Sequence, residues 1–483
     1  MLHWKHSLNN MRKKPFIKLF KTYLGHYFFD VNRNEIVPIS LESYTYLKKL
    51  VELNQDNVDE YVTDEIVQLK AAGYLSEKRV SILEHPSSDV LKYLLGRAME
   101  KITIQVTQSC NLRCSYCIYS DLNNGEQRSH SAKTISKENA RKAVDFIMEH
   151  SIDRSSVDIG FYGGEPLIAF DVVKDCILYV EKKYYGRRCT FSMTTNATLL
   201  DDEKSAFLEE HNVTLMISID GPKEIHNIHR RFSADGKGSY DVIMENLNNI
   251  KNKYPKLYNG LMFNMVIDPQ NDFDKINDIS ANGIFNSLNT KSSIIEDGYS
   301  IEKVVASEDY VAKSEYNLFL AYISKLGIVD GLVAPLVAQT SADEMFMEKN
   351  ALKKQVSLPE KGAPGGPCIP GQLRLFVNAD GDLYPCERVS ETSPAMKMGS
   401  IDEGVDMESA YKLLNICQLT PEKCRNCWAF SKCTLCAKSA DGGEELSAKV
   451  KNSFCDGVHN EVESRLKNEI MLMENEAGLL CIH

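Results

Sequence analysis

The fourteen cysteines of this 483-residue chain are distributed in a way that few folds accommodate. Three fall at positions 110, 114 and 117, and eight crowd between 368 and 455. Only Cys176, Cys189 and Cys481 stand apart. The N-terminus, MLHWKHSLNNMRKKPF, is basic but has no apolar core and no small-residue cleavage site, so it does not read as a secretory signal. The expected compartment is therefore the cytoplasm, where cysteines ligate metals or catalyse rather than form disulfides. No run of 18 apolar residues is present, so no membrane partner is expected. A formal charge of −11 argues against a nucleic-acid partner, which calls for a surplus of Lys and Arg.

The rhythm of the chain divides it into unequal parts. Residues 1–95 form a first unit. HYFFDVNRNEIVPIS (26–40) holds two apolar-aromatic runs around Asn32-Arg33-Asn34, which predicts a hairpin. Helical spacing follows in LESYTYLKKLVEL (41–53) and VTDEIVQLKAAGYL (62–75), with Gly73 placed to end the second helix. The outline is a small α+β unit of winged helix-turn-helix type. From 96 to 330, β-branched runs at 102–106, 157–163, 189–196, 213–221 and 261–268 alternate with helical patterns, and KSSIIE offers a sixth strand. Strand–helix alternation with buried strands predicts an α/β fold, a partial (β/α)6 barrel with ligands at the C-terminal ends of its strands. Residues 331–366 read as a bridging region, 367–460 as a Cys-rich domain held by metal, and 461–483 as a terminal helix and tail. Cys176 and Cys189 read as core residues, and Cys481 as part of the tail.

The first cysteine group, Cys110-Asn-Leu-Arg-Cys114-Ser-Tyr-Cys117, directly follows the first barrel strand. Three thiolates on one loop can bind three irons of a [4Fe–4S] cluster and leave the fourth iron open. A structural zinc site wants four ligands, and no nearby fourth Cys or His is present. CxxxCxxC here, with an aromatic before the last Cys, resembles the cluster loop of radical S-adenosylmethionine (SAM) enzymes. Gly163-Gly164-Glu165-Pro166, Thr194-Thr195-Asn196 and the SxDGPxxxHxxxR run from Ser218 to Arg230 resemble further family motifs, with Ala197 where the family's TNG turn has Gly. The resemblance implies SAM contacts from Tyr116, Gly163, Gly164, Glu165, Asn196, Ser218 and Arg230.

The second group runs Cys368, Gly381, Cys386, then Cys424, Cys427, Cys433, Cys436 and Cys455. Its spacing resembles the SPASM domain, which holds two auxiliary [4Fe–4S] clusters. A pair of zinc sites is the alternative, since CxxC pairs are common zinc ligands. The resemblance implies Cys424, Cys427, Cys433 and Cys455 on an outer cluster, and Cys368, Cys386 and Cys436 on an inner one. The inner set is one ligand short. Either Cys417 supplies it, or the site is open to a substrate thiol.

With three [4Fe–4S] clusters and SAM, the implied chemistry is hydrogen abstraction by a 5′-deoxyadenosyl radical. The first unit resembles the precursor-recognition element of ribosomal-peptide modifying enzymes, which binds a leader peptide as an added strand. The whole order resembles sactipeptide and ranthipeptide maturases, which install thioether crosslinks from Cys sulfur to carbon in Cys-rich precursors. The implied partners are the precursor peptide and a reductant such as flavodoxin or ferredoxin. The rival enzyme readings are carbon–carbon crosslinking, epimerisation and dehydrogenation; the rival from another class is a zinc-containing winged-helix regulator.

Overall fold

The computed structural model describes residues 14–51, 62–119, 127–128, 130–281, 284–285, 289–295, 303–329, 338, 342–343, 354–365 and 367–478. Cys481 and most of the bridging region therefore lie outside the described residues. The chain opens with three strands, β1 (Ile17–Lys21), β2 (His26–Asp30) and β3 (Glu35–Ile39), paired antiparallel in sequence order. Asn34 takes a left-handed backbone (φ 52°) in the β2–β3 turn, and Asp30 accepts the Arg33 amide at 3.1 Å. Helices α1 (Leu41–Val51) and α2 (Asp64–Ala71) follow. Thr63 caps α2 by accepting the Ile66 amide at 3.2 Å, and Gly73 ends it at φ +87°, as its position in the sequence predicts.

Strand alternation gives this small sheet two apolar faces. Ile17, Leu19, Phe28 and Ile39 pack under α1 and α2 with Leu47, Ile66 and Leu75. Phe16, Phe20, Tyr27 and Phe29 point the other way, into a core shared with Cys424, Phe430, Val458 and Leu466. The first unit is thus built onto the Cys-rich region. Strand β4 (Ile82–Leu83) reinforces the join by pairing with Lys361 and Gly362, which form β11 far along the chain.

After α3 (Leu91–Arg97) come the strands the sequence predicts: β5 (Lys101–Thr107), β6 (Val157–Gly163), β7 (Cys189–Thr195), β8 (Val213–Ser218), β9 (Met262–Ile267) and β10 (Thr290–Ile294). They pair in parallel, in sequence order. Between them run α4 (Lys137–Glu149), α5 (Phe170–Lys183), α6 (Asp202–Glu210), α7 (Lys223–His229) and α8 (Tyr240–Lys253). Ile102, Ile104 and Val106 pack against helix residues such as Val144, Ile147, Val173 and Ile177. Alternate positions are polar: Lys101 pairs with Asp158 at 2.6 Å and donates to Ser192 at 3.1 Å. This is an α/β fold with a parallel-dominated sheet.

The Cys-rich region is less independent of that sheet than its sequence suggests. Strand β12 (Leu375–Val377) pairs in parallel with β5, and β13 (Leu383–Tyr384) pairs antiparallel with β12, extending the sheet to eight strands. Gly381 makes the turn between them at φ +92°. Cys368 and Cys386 flank this hairpin. The terminal helix begins at Cys455 and runs to Glu476, so Cys455 is fixed by helical geometry. Periodicity places its start at Glu461; Val458, one turn earlier, is already buried and extends the apolar stripe. Among the described residues no helix is long and apolar enough to cross a membrane.

Candidate cluster and cofactor site

Strand β5 delivers the chain directly into the loop carrying Cys110, Cys114 and Cys117. Cys114 is buried and the other two are half-buried. The Leu112 amide lies 3.4 Å from the Cys110 sulfur and the Tyr119 amide 3.5 Å from the Cys117 sulfur. The loop is stitched to the segment after α7: Arg113 donates its amide to the Arg231 carbonyl at 2.8 Å, and Ser233 to Asn111 at 2.9 Å. His229 bridges Ser115 (2.5 Å) and Asp268 (3.0 Å).

The turn after β6 touches the backbone just ahead of Cys110. A Cβ on Gly163 would stand 2.2 Å from the Thr107 carbonyl oxygen, and one on Gly164 would stand 2.3 Å from that of Ser109. Gly163 also has φ +147°. Glycine here is what lets the amides of Gly164 and Glu165 donate to Thr107 and Ser109, at 2.8 and 2.9 Å.

Glu165 is buried, and its carboxylate accepts from the Leu167 amide (3.0 Å), the Thr195 hydroxyl (2.7 Å) and the Asn196 amide (2.7 Å). It therefore ties this turn to the end of β7. Burial pushes its carboxyl above the usual range despite these donors. The Asn196 side-chain amide donates to Asn111 at 3.0 Å and lies 4.0 Å from the Cys110 sulfur. Ala197 adopts φ +61°, a left-handed conformation that costs a non-glycine residue about 1–2 kcal/mol. Ser218 is buried at the end of β8.

Asp220, part of the Ser218–Arg230 run but not among the expected contacts, organises this side of the site. It accepts from Arg230 Nε at 2.8 Å and from the Val266 amide at 3.1 Å, and the Tyr116 hydroxyl bonds to it as well. Burial pushes the Cys110 and Cys114 thiols up to about 12, and the Cys117 thiol upward too. Cys117 raises both Cys110 and Cys114, and Cys110 raises Cys114, while Arg113, Arg128 and Arg230 act in the opposite sense.

Arg128, which no spacing rule singled out, is fully buried between the Phe376, Tyr119 and Tyr162 rings. It donates to the Glu387 carbonyl at 2.6 Å, and its Nε lies 3.7 Å from Glu391. Gln105 on β5 donates to Tyr119 (2.9 Å) and Glu391 (2.7 Å). The barrel is thereby linked to the chain just after Cys386.

In the Cys-rich region, Cys427 and Cys433 each lie close enough to Cys424 and Cys455 to be perturbed by them. Cys386 and Cys436 likewise interact, while Cys368 is exposed. Cys417 is buried beside Cys424, and both line one small recess with Cys433 and Lys451. His459 Nε2 stands 3.1 Å from the Cys427 sulfur, a contact that sequence spacing did not signal. Cys176 is fully buried in α5 and Cys189 half-buried at the start of β7, as core residues should be. Among the described residues no three His, Cys, Asp or Glu side chains stand close enough to hold one metal ion. A four-iron cluster has a different requirement, one thiolate on each of several irons.

Comparison with known proteins agrees with this geometry. Residues 104–279 match the model of the radical SAM superfamily. A cysteine-type anaerobic sulfatase-maturating enzyme of Clostridium novyi is 26% identical over 384 residues, spanning 77% of this chain and 96% of that one. The solved structure of native anSMEcpe with bound AdoMet superposes with a TM-score of 0.55 at 20% identity, covering 76% of this chain and 98% of that one. The structure of native anSMEcpe with AdoMet and Kp18Cys peptide gives 0.52 at 19%, covering 76% and 99%.

Proposed function

Because residues 104–279 match the radical SAM superfamily, we propose that this chain is a radical SAM enzyme that installs thioether crosslinks, Cys sulfur to carbon, in a ribosomally made Cys-rich precursor peptide. The donor set suits the implied cofactors: soft, buried, mutually interacting thiols with guanidinium groups at hand to offset negative charge. Cys110, Cys114 and Cys117 would hold the cluster that binds SAM. Tyr116, Gly163, Gly164, Glu165, Asn196, Ser218 and Arg230 would contact SAM. Cys424, Cys427, Cys433 and Cys455 would hold the outer auxiliary cluster; Cys368, Cys386 and Cys436 would hold the inner one. When bound, these groups supply a 5′-deoxyadenosyl radical, a thiophilic iron position and an acceptor for one electron.

The observation that carries the thioether reading is the location of Cys417. It stands beside Cys424 and shares a recess with Cys424 and Cys433, which supports a reading in which it serves the outer side and Cys368, Cys386 and Cys436 are left as a set of three thiols. The vacancy suits a fourth thiol brought by the substrate. The regulator alternative loses ground, since the cysteines sit around a barrel with SAM-enzyme motifs. Residues 1–95 would act as the recognition element. Strand β3 pairs only with β2 among the described strands, so its outer edge is free to accept a leader peptide as an added strand.

The reaction balances as an oxidation. One hydrogen atom leaves the acceptor carbon, one proton leaves the substrate thiol, and one electron departs as the C–S bond forms. Each crosslink should lower the peptide mass by about two hydrogens and protect one Cys from alkylation. Mass spectrometry of precursor treated with the reconstituted enzyme, SAM and a reductant tests this. The same mass loss with every Cys still alkylatable would refute the thioether and favour dehydrogenation or a carbon–carbon link. An unchanged mass would favour epimerisation.

A further inference from the structure

Lys451, on the short helix Ala448–Ser453, is 3% exposed, which is unusual for an ammonium group. A buried charge needs a compensating partner, and its usual one is a carboxylate. Among the described residues no carboxylate pairs with it. Its Nζ donates instead to the Cys424 sulfur at 3.0 Å and to the Thr420 hydroxyl at 2.7 Å. Its charge also acts on Cys417 and Cys433, and all four side chains border the same recess. Among the described residues, the groups at hand to compensate its charge are therefore the sulfurs. A thiolate-ligated iron–sulfur site is anionic, and each added electron makes it more so.

We propose that Lys451 is a charge-tuning residue of the outer auxiliary site, donating to the Cys424 sulfur and raising that site's affinity for an electron. The inference rests on the assignment of Cys424, Cys427, Cys433 and Cys455 to an iron–sulfur cluster. One-electron reduction adds a unit of negative charge within hydrogen-bond reach of a fixed, poorly solvated cation. Hydrogen bonds to sulfur and local charge are main determinants of iron–sulfur potentials. The outer site would thus draw electrons from the interior and hold them near Trp428 and His459, on the side where the terminal helix packs.

The test uses the full-length chain with Cys110, Cys114 and Cys117 changed to Ala, so that only auxiliary signals remain. Proteins carrying Lys451, Lys451→Arg or Lys451→Met are reconstituted anaerobically and titrated with dithionite, followed by electron paramagnetic resonance. The signal that disappears in a Cys427→Ala variant identifies the outer cluster. In Lys451→Met that signal should move to more negative potential with iron and sulfide content retained, and Lys451→Arg should stay near the parent. An unmoved potential in Lys451→Met, or a shift confined to the other signal, would overturn the proposal. So would loss of the outer iron in Lys451→Met, because the lysine would then build the site rather than tune it. A parent protein without iron and sulfide would instead overturn the functional reading itself, and this inference with it.

Discussion

Arg230 donates through Nε to the Asp220 carboxylate at 2.8 Å, and side-chain exposure is only 8% for the arginine and 2% for the aspartate. The Tyr116 hydroxyl meets the same carboxylate, so one acidic group joins the end of β8, the segment after α7 and the cluster loop. Removing it leaves a buried guanidinium uncompensated, a change that costs about 3–5 kcal/mol. Asp220→Asn should therefore melt well below the parent in anaerobic thermal denaturation and bind SAM more weakly in calorimetry. Equal melting and equal SAM affinity would show that the pair contributes little.

The glycine turn after β6 makes a sharper steric prediction. A Cβ on Gly164 would stand 2.3 Å from the Ser109 carbonyl oxygen, so one backbone must move, and Ser109 immediately precedes Cys110. Gly164→Ala should lower the iron retained by the SAM-cluster loop as well as stability. Gly96→Ala is the control, since nothing lies within 4 Å of that position, and in a helix the change should be neutral or favourable by about 1 kcal/mol. Full iron content in Gly164→Ala would contradict the close-approach argument.

Acid sensitivity should trace in part to His226. Its ring contacts the Asp220 amide (3.3 Å) and the Ser239 hydroxyl (2.9 Å). Burial, reinforced by the Arg230 charge, pushes its imidazole down to about 3. The unfolded chain, with an ordinary value near 6.5, takes up a proton that the folded chain refuses. The stability from the neutral ring is complete above about pH 6.5 and falls as pH drops toward 3, by ~1.4 kcal/mol per pH unit. Urea unfolding at about pH 7 and about pH 5 should show a smaller pH difference in His226→Asn than in the parent, by roughly 2 kcal/mol. Equal differences would remove His226 from the account.

Leader binding is best tested in place. Phe16, Phe20 and Phe29 sit in the core shared with the Cys-rich region, and burying each is worth roughly 1.5–3 kcal/mol. Deleting residues 1–95 would therefore uncover that region as well as remove the recognition surface. Hydrogen exchange avoids the difficulty. The outward-facing amides among Glu35, Ile36, Val37 and Ile39 should exchange more slowly when precursor is added, because an added strand satisfies the β3 edge. Unchanged exchange at saturating precursor would place the leader elsewhere.

Much of this architecture was legible in the chain. The β-branched runs marked six parallel strands because each is five to seven residues long and separated by clear helical patterns. The CxxxCxxC loop stood out through its spacing together with the strand before it and the motifs that follow it. The β12–β13 hairpin did not, since strands of three and two residues carry no readable period. Arg128, Asp220, Lys451 and His459 act through contacts with residues distant in sequence, and only folding reveals those contacts. Cys417 was ambiguous for the same reason. Six residues separate it from Cys424, an interval that does not say which thiols it stands beside; the short helical turn at Ile416–Leu419 brings it next to Cys424.

The most direct test of the central claim is a paired measurement of iron content and SAM cleavage when Cys110, Cys114 and Cys117 are all changed to Ala. Anaerobically reconstituted parent protein should hold about three four-iron clusters, one per ligand set, and release 5′-deoxyadenosine from SAM when reduced. The triple variant should lose roughly four irons, keep the auxiliary ones and release no 5′-deoxyadenosine. Continued SAM cleavage by the triple variant, or an unchanged iron content, would contradict the assignment of this loop as the radical-generating centre.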